Sequence, residues 1–460
     1  MHVLFDLDQT KQAEPTPDPQ GAWQPFDPGQ AWNLRWAGHL LRRIGFGPTW
    51  PELQQALRLG PQKTLDRAFQ PTPEVDAFHR QMNQWESSAN ELPAIRAWWL
   101  RRMLETPQPL LEKMTLFWHG QLALGNVRQA PGALVRDYLR SIRCHALGRW
   151  DELLRAVVLH PAMLLSHGAE ANRKARPNEH FARVVLEHFT AGPGQFSEKD
   201  VHELARALTG WFVFREELRF IEREQDTEPK RLFGQSGPMS MEEAFELLAR
   251  QPAAAKTLVR KLYRFFISEA GSAPEGLLEA LAAPLTQGAP IGQVVERMLR
   301  SNWFFSSAAY RRRVKSPVEW ALGVLRPLET LPPTEPLGHG VAEMGQSLAE
   351  PPTPAGWPDG THWISPALLL ARTRWTEQLT NPQSPFGQKF DPAAAATRHG
   401  STSPTSQANF LVKLYLQDDL AAPTRTKLLE EAKTTAQPTP ADHLRQLAQT
   451  LVLLPEFQLA

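Results

Sequence analysis

Apolar residues recur at helical spacing along most of this chain. Only one patch, WFVFREELRFI at 211–221, clusters aromatic and β-branched residues as a strand would. That pattern leaves few architectures open, because helices that each bury one stripe have to pack on one another. The densest stretch is Pro177 to Trp211, PNEHFARVVLEHFTAGPGQFSEKDVHELARALTGW. Its spacing predicts two helices, 178–191 and 198–209, joined by a Gly-Pro-Gly turn and closed at Gly210-Trp211. Pro177 sits where a missing N–H costs nothing, and Ser197 with Asp200 reads as a capping box. Thr49 caps an earlier helix that carries Pro51 and Glu52 in its first turn. The expected fold class is mainly α: a large irregular helical domain with at most a small β-hairpin, plus C-terminal helices.

Composition sets the expected boundaries. Residues 1–30 are rich in Pro, Asp and Gln and read as a flexible tail. A helical core domain is expected over 31–330, then a Pro/Gly-rich connector and a helix packed on that core over 331–380. Within the connector, PPTPAGWPDG cannot be a helix interior, since proline lacks the donor N–H. Residues 381–408 read as a flexible linker and 409–460 as C-terminal helices. With 50 basic and 49 acidic residues there is no basic excess to neutralise phosphates, so a nucleic-acid partner is not expected. The local runs Arg173, Lys174, Arg176 and Arg311, Arg312, Arg313, Lys315 read as solvated faces. Cys144 is the only cysteine, which excludes intrachain disulfides and multi-thiolate metal sites. No window approaches the ~18 apolar residues of a spanning helix. The first residues, MHVLFDLDQTKQAEPTPDPQ, lack the basic and apolar regions of a signal peptide, so the chain reads as soluble and cytoplasmic.

Several polar groups exceed what packing requires. On the first signature helix, Phe181, Val185, His188 and Phe189 are expected to face the core, while His180, Arg183 and Glu187 form a polar stripe. One reading makes His180 and Glu187, with His202, an acid–base or metal cluster, and adds Asp226 as a third catalytic candidate. The other makes Glu179–Arg183 and Arg183–Glu187 i,i+4 pairs that orient the helix, with Asn178 and Glu179 as structural polar groups. No HExxH spacing is present, so no metal site is expected. On EKMTLFWHGQLAL, Leu110, Met114, Phe117, Trp118 and Gln121 share one face; Gln121 is expected as a buried structural amide, with His119 pointing the other way. There is no GxSxG, Walker loop or GxGxxG, and no cofactor is implied. The connector concentrates Trp357, His362 and Trp363, which with Arg183 are the candidate binding residues, as a stacking platform or peptide groove. The bland reading is that they pin a Pro-rich segment to the core. The polar stripe is expected to meet the 110–122 helix and the connector across one cleft, with Arg183 and Glu187 holding each other. Glu187→Ala would then destabilise noticeably.

The signature resembles domain-of-unknown-function family 1800, an uncharacterised bacterial family. So do HLLRRIGFG at 39–47, KMTLFWHG at 113–120, PAMLL at 161–165, ARALTGW at 205–211, KSPVEWALG at 315–323, GWPDGTHWI and the closing LLPEFQL. The resemblance implies a largely helical protein. Genes of this kind often lie beside genes for an exported protein similar to alkaline phosphatases and sulfatases, which implies an envelope setting and a protein partner. This chain departs from the family at five polar positions. FWH-x-H ends at Gln121, the YLD or WLD triplet is Ser166-His167-Gly168, PNEN ends at His180, ARE-L reads Arg183-Val184-Val185, and the His-Asp pair reads Gln225-Asp226 ahead of Lys230 and Gly234. An enzyme working through those groups would be weakened or inactive here.

Two functions stay open on these grounds. The favoured one is a non-catalytic helical binding or scaffold protein acting with an envelope or exported partner. The other is a hydrolase-like enzyme, metal-dependent or not, using His180, Glu187 and Asp226.

Overall fold

A computed structural model describes residues 18–27, 29, 32–70, 72–86, 89–387, 389–434 and 439–460. The chain is mainly α-helical. The helices that position the site are α1 (Leu34–Ile44), α2 (Trp50–Phe69), α3 (Leu92–Glu105), α4 (Pro109–Gln121) and α5 (Gly132–His145). They are followed by α6 (Glu179–Val184), α7 (Glu198–Ala207), α8 (Pro252–Phe266), α9 (Pro317–Leu325), α10 (Pro366–Thr380), α11 (Pro404–Leu416) and α12 (Pro440–Leu453). Their starts follow from sequence chemistry. Thr49 and Glu52 cap α2 reciprocally, as do Ser197 and Asp200 for α7 and Ser316 and Glu319 for α9. Gly60, at φ 76°, kinks α2 ahead of Pro61.

Tryptophan does much of the tying. Trp98, Trp99, Trp118, Trp320 and Trp375 are fully buried. Trp118 Nε1 donates to Ala146 O at 2.8 Å and Trp320 Nε1 to Val452 O at 3.2 Å, so each ring joins two segments while burying its area. Glu112 of α4 is a second knot. It accepts from Arg102 of α3, from Arg143 of α5 at 2.7 and 3.1 Å, and from Trp99 Nε1 at 3.2 Å. The chain's last residues run antiparallel to 313–315: Lys315 N donates to Gln458 O and Ala460 N to Arg313 O, both at 2.8 Å.

The strand-like patch forms a hairpin, β1 (Trp211–Phe214) with β2 (Glu217–Phe220), turning at Arg215 and Glu216 with positive φ. A second short ladder, β3 (Lys230–Leu232) with β4 (Gln235–Gly237), was not anticipated. Its strands are too short to show an alternating pattern. Helix α7 holds it in place: Asp200 and Glu203 accept the backbone N–H groups of Phe233 and Arg231.

Several boundaries differ from the sequence reading. Within the expected tail, residues 1–17 lie outside the described residues, but Trp23 is buried and its indole donates to Leu277 O at 3.1 Å. The expected linker is docked too. Phe386 and Phe390 are buried and Pro392–Arg398 is helical, because two rings anchor a stretch whose Pro and Gly content suggested looseness. One hydrophobic cluster runs from Trp23 to Phe457. The basic run near 311 is also no solvated face throughout, since Arg313 and Lys315 are buried. Arg313 is bidentate to Glu319 at 2.6 and 2.8 Å, and Lys315 lies over the Phe457 ring.

Candidate functional site

The first signature helix is interrupted. α6 passes at Val185 into a π-helical turn, Val185–Phe189. Thr190 Oγ1 donates to Val185 O at 2.9 Å, Gly192 N donates to Leu186 O at 3.0 Å, and Lys261 Nζ donates to His188 O at 2.7 Å. These donors capture carbonyls that a regular helix would use itself, which favours the wider turn. Thr257 of α8 also takes Ala191 O, so the end of the signature is seated on α8.

Lys261 connects this turn to a cleft of about 350 Å³. α4 supplies Phe117, Gly120 and Gln121; α8 supplies Lys261, Arg264 and Phe265; the connector supplies Trp357, Asp359 and Trp363. Glu269, Arg313, Ser316 and Gln346 complete the polar lining. The connector backbone rests on α4, and Trp357 stacks on His119 with ring centroids 5.2 Å apart. His119 stacks on Trp99 at 5.2 Å on its other side. Both His119 ring nitrogens and Trp357 Nε1 are buried without a hydrogen-bond partner among the described residues. Burial lowers His119 to about 4, so the ring is neutral at pH 7.

The cleft's charges are unequal in their satisfaction. Arg264 bonds Asp359 Oδ2 at 3.1 and 2.8 Å. Glu269 accepts from Val314 N at 2.9 Å and lies 3.5 Å from Arg313; burial pushes its carboxyl above the usual range against the pull of that arginine. Arg313 is shared with Glu319, which Lys113 also contacts, and those two cations outweigh burial and hold Glu319 well below the carboxylate range. Lys261 differs. The residue is half-buried, and desolvation lowers its ammonium to about 8.

The residues singled out in sequence fall into two groups. Gln121, Trp357 and Trp363 line the cleft. Gln121 is half-buried there rather than enclosed, and it is His119 that is fully buried. α4 is enclosed on nearly every side, so its apolar stripe does not decide which polar group goes inward. His362 is exposed beside the cleft, with Nδ1 carrying the proton it donates to Asp359 O at 3.0 Å. The signature's polar stripe does not line the cleft. His180 is exposed, Glu179 pairs with His202 at 2.7 Å, and Asn178 caps α6 through Phe181 N. Arg183 pairs with Glu198 rather than with Glu179 or Glu187, and His188 is only half-buried. Asp226 is held by Arg206 at 2.8 and 2.9 Å, which depresses its carboxyl. Among the described residues no hydrogen bond or ion pair joins His180, Glu187 and Asp226, and no three His, Cys, Asp or Glu side chains gather as a metal would require. Lys261, Arg264, Glu269 and Arg313 carry the cleft's charge, and the sequence reading missed all four. His188, Asp359 and Val314, which partner Lys261, Arg264 and Glu269, are distant in the chain, and only Glu319 lies near its partner Arg313, so local patterns hold little signal for them.

A mainly helical protein with a ring-walled, partly charged cleft is thus the class that fold and site define. The chain belongs to the family described as Protein of unknown function (DUF1800), whose profile matches residues 39–459. No curated protein and no solved structure matches it. Among the described residues no helix is long and apolar enough to cross a membrane.

Proposed function

We propose that this chain is a non-catalytic helical binding protein that seats a segment of a partner protein in the cleft between α4, α8 and the connector. The observation that carries this reading is the cleft's lining. Phe117, Phe265, Trp357 and Trp363 wall it, and a few polar groups converge between them, which is how ligand sites are commonly built. Of the signature's polar groups, Glu179 instead pairs with His202 and Arg183 with Glu198, and His180 is exposed. The family resemblance points to an exported alkaline phosphatase- or sulfatase-like partner, and so to an envelope setting. Co-expression with such a partner tests this. We expect co-purification with the natural chain and with His202→Ala, and its loss with Trp357→Ala. A folded Trp357→Ala chain that still holds the partner would refute the cleft as the site.

One observation favours a second reading, a hydrolase-like enzyme. Burial drives Glu269 upward and Lys261 downward in the same cleft, the directions that favour a carboxyl and an amine exchanging protons. Turnover of an ester substrate that Glu269→Gln abolishes would decide for it.

A further inference from the structure

We infer that the cleft is built for a singly charged carboxylate, the acidic side chain of a partner segment, seated on Lys261 Nζ with its apolar neighbours against Phe117, Phe265 and Trp357. The inference rests on the binding reading above and names its chemistry. An ammonium has three donors, and Lys261 spends one on His188 O at 2.7 Å. Among the described residues no carboxylate lies within 4.0 Å of it. The wall's other cations are already matched, Arg264 by Asp359 and Arg313 by Glu319 and Glu269. Among the described residues Lys261 is therefore the lining cation without a carboxylate in contact, and partial burial of such a charge is costly until a counter-charge arrives. Its position is fixed, because the π turn that ends α6 supplies the carbonyl that anchors it. Trp357, in the same wall, has a buried indole N–H without an acceptor among the described residues. An incoming carboxylate brings one negative charge and several acceptor sites. A phosphate dianion would bring excess charge towards Glu269 and Asp359, which line the same space.

Isothermal titration of the full chain with 4-phenylbutyrate and its neutral analogue 4-phenylbutanamide tests this. The acid should bind at least about 10-fold tighter, as a charge-assisted hydrogen bond implies. Lys261→Met should erase the preference while melting as a folded protein. If that variant does not fold, the natural chain still decides, since acid affinity must drop when pH rises above the lysine's titration. Equal affinity for acid and amide, no binding of either, or a preference that survives Lys261→Met overturns the inference. Partner capture separates the two proposals. Loss with Trp357→Ala but not with Lys261→Met leaves the cleft reading standing and removes the carboxylate; retention in both removes the cleft reading itself.

Discussion

Gly356 lies against the carbonyl of Gly120, so closely that a Cβ on Gly356 would stand 1.9 Å from that oxygen. This contact closes the connector on α4 and lays Trp357 over His119. Two glycines far apart in sequence therefore set one wall of the cleft.

Gly356→Ala cannot keep this geometry. Its φ of 90° is a left-handed value that disfavours a side chain, at a cost of about 1–3 kcal/mol before the clash is counted. We expect a lower melting temperature and a red-shifted tryptophan emission as Trp357 lifts off. Gly338→Ala is the control. A Cβ there meets ordinary contacts at 3.6 and 3.7 Å inside a helix, so it should be neutral or stabilising. Equal melting temperatures for Gly356→Ala and the natural chain would contradict the close approach.

The Glu112 knot should be among the most sensitive polar positions. Glu112→Gln leaves Arg102 and Arg143 buried without a counter-charge, a loss of about 3–5 kcal/mol. Burial alone would raise this carboxyl, but Arg143 and Arg102 outweigh it and hold it at about 2. Its folded value is therefore depressed: the stabilisation is complete above the unfolded carboxylate range and is lost as pH falls towards 2. Denaturant midpoints from pH 6 down to pH 2.5 should fall more steeply for the natural chain than for Glu112→Gln.

Much of the fold was legible in sequence and much of the site was not, for physical reasons. Caps are local, so Thr49 and Ser197 marked helix starts correctly. Periodicity reports how many faces are apolar but not which neighbour arrives, and α4 is enclosed by α3 and the connector together. That is why His119 and Gln121 changed places. The π turn depends on Thr190 and on Lys261, the second donor lying 73 residues from the carbonyl it takes. Arg313 and Lys315 looked solvated because Glu319, though near in sequence, reaches Arg313 only from the first turn of α9, capped by Ser316.

Glu187 now carries the opposite expectation from the one its helical spacing suggested. It is half-buried, and Arg183 is turned to Glu198 at 2.9 Å on the surface. Glu187→Ala should shift stability by no more than about 0.5 kcal/mol. Glu198→Ala should also leave the melting temperature nearly unchanged, since the pair it breaks is solvent-exposed and screened. A thermal melt of Glu187→Ala that drops by many degrees would mean that the stripe is held in another way.

His119 makes the stability of the chain depend on pH in a window set by its burial. The folded ring titrates at about 4, below the ordinary histidine value near 6.5. The unfolded chain therefore takes up a proton that the folded chain refuses. Stability is complete above pH 6.5, declines as pH falls to about 4, and then levels, with about 2 kcal/mol lost by pH 5. His160 is also lowered to about 4 by burial, so the natural chain should show more than one such contribution. His119→Phe isolates its share. The substitution keeps a flat ring between Trp99 and Trp357 and removes two buried nitrogens that have no partner among the described residues. At pH 8 the variant should be at least as stable as the natural chain, because no hydrogen bond is lost. Between pH 8 and pH 5 its urea midpoint should fall less, the gap widening by the equivalent of about 2 kcal/mol. Parallel midpoint curves for the two proteins across that range would show that His119 is protonated, or solvated, in the folded state.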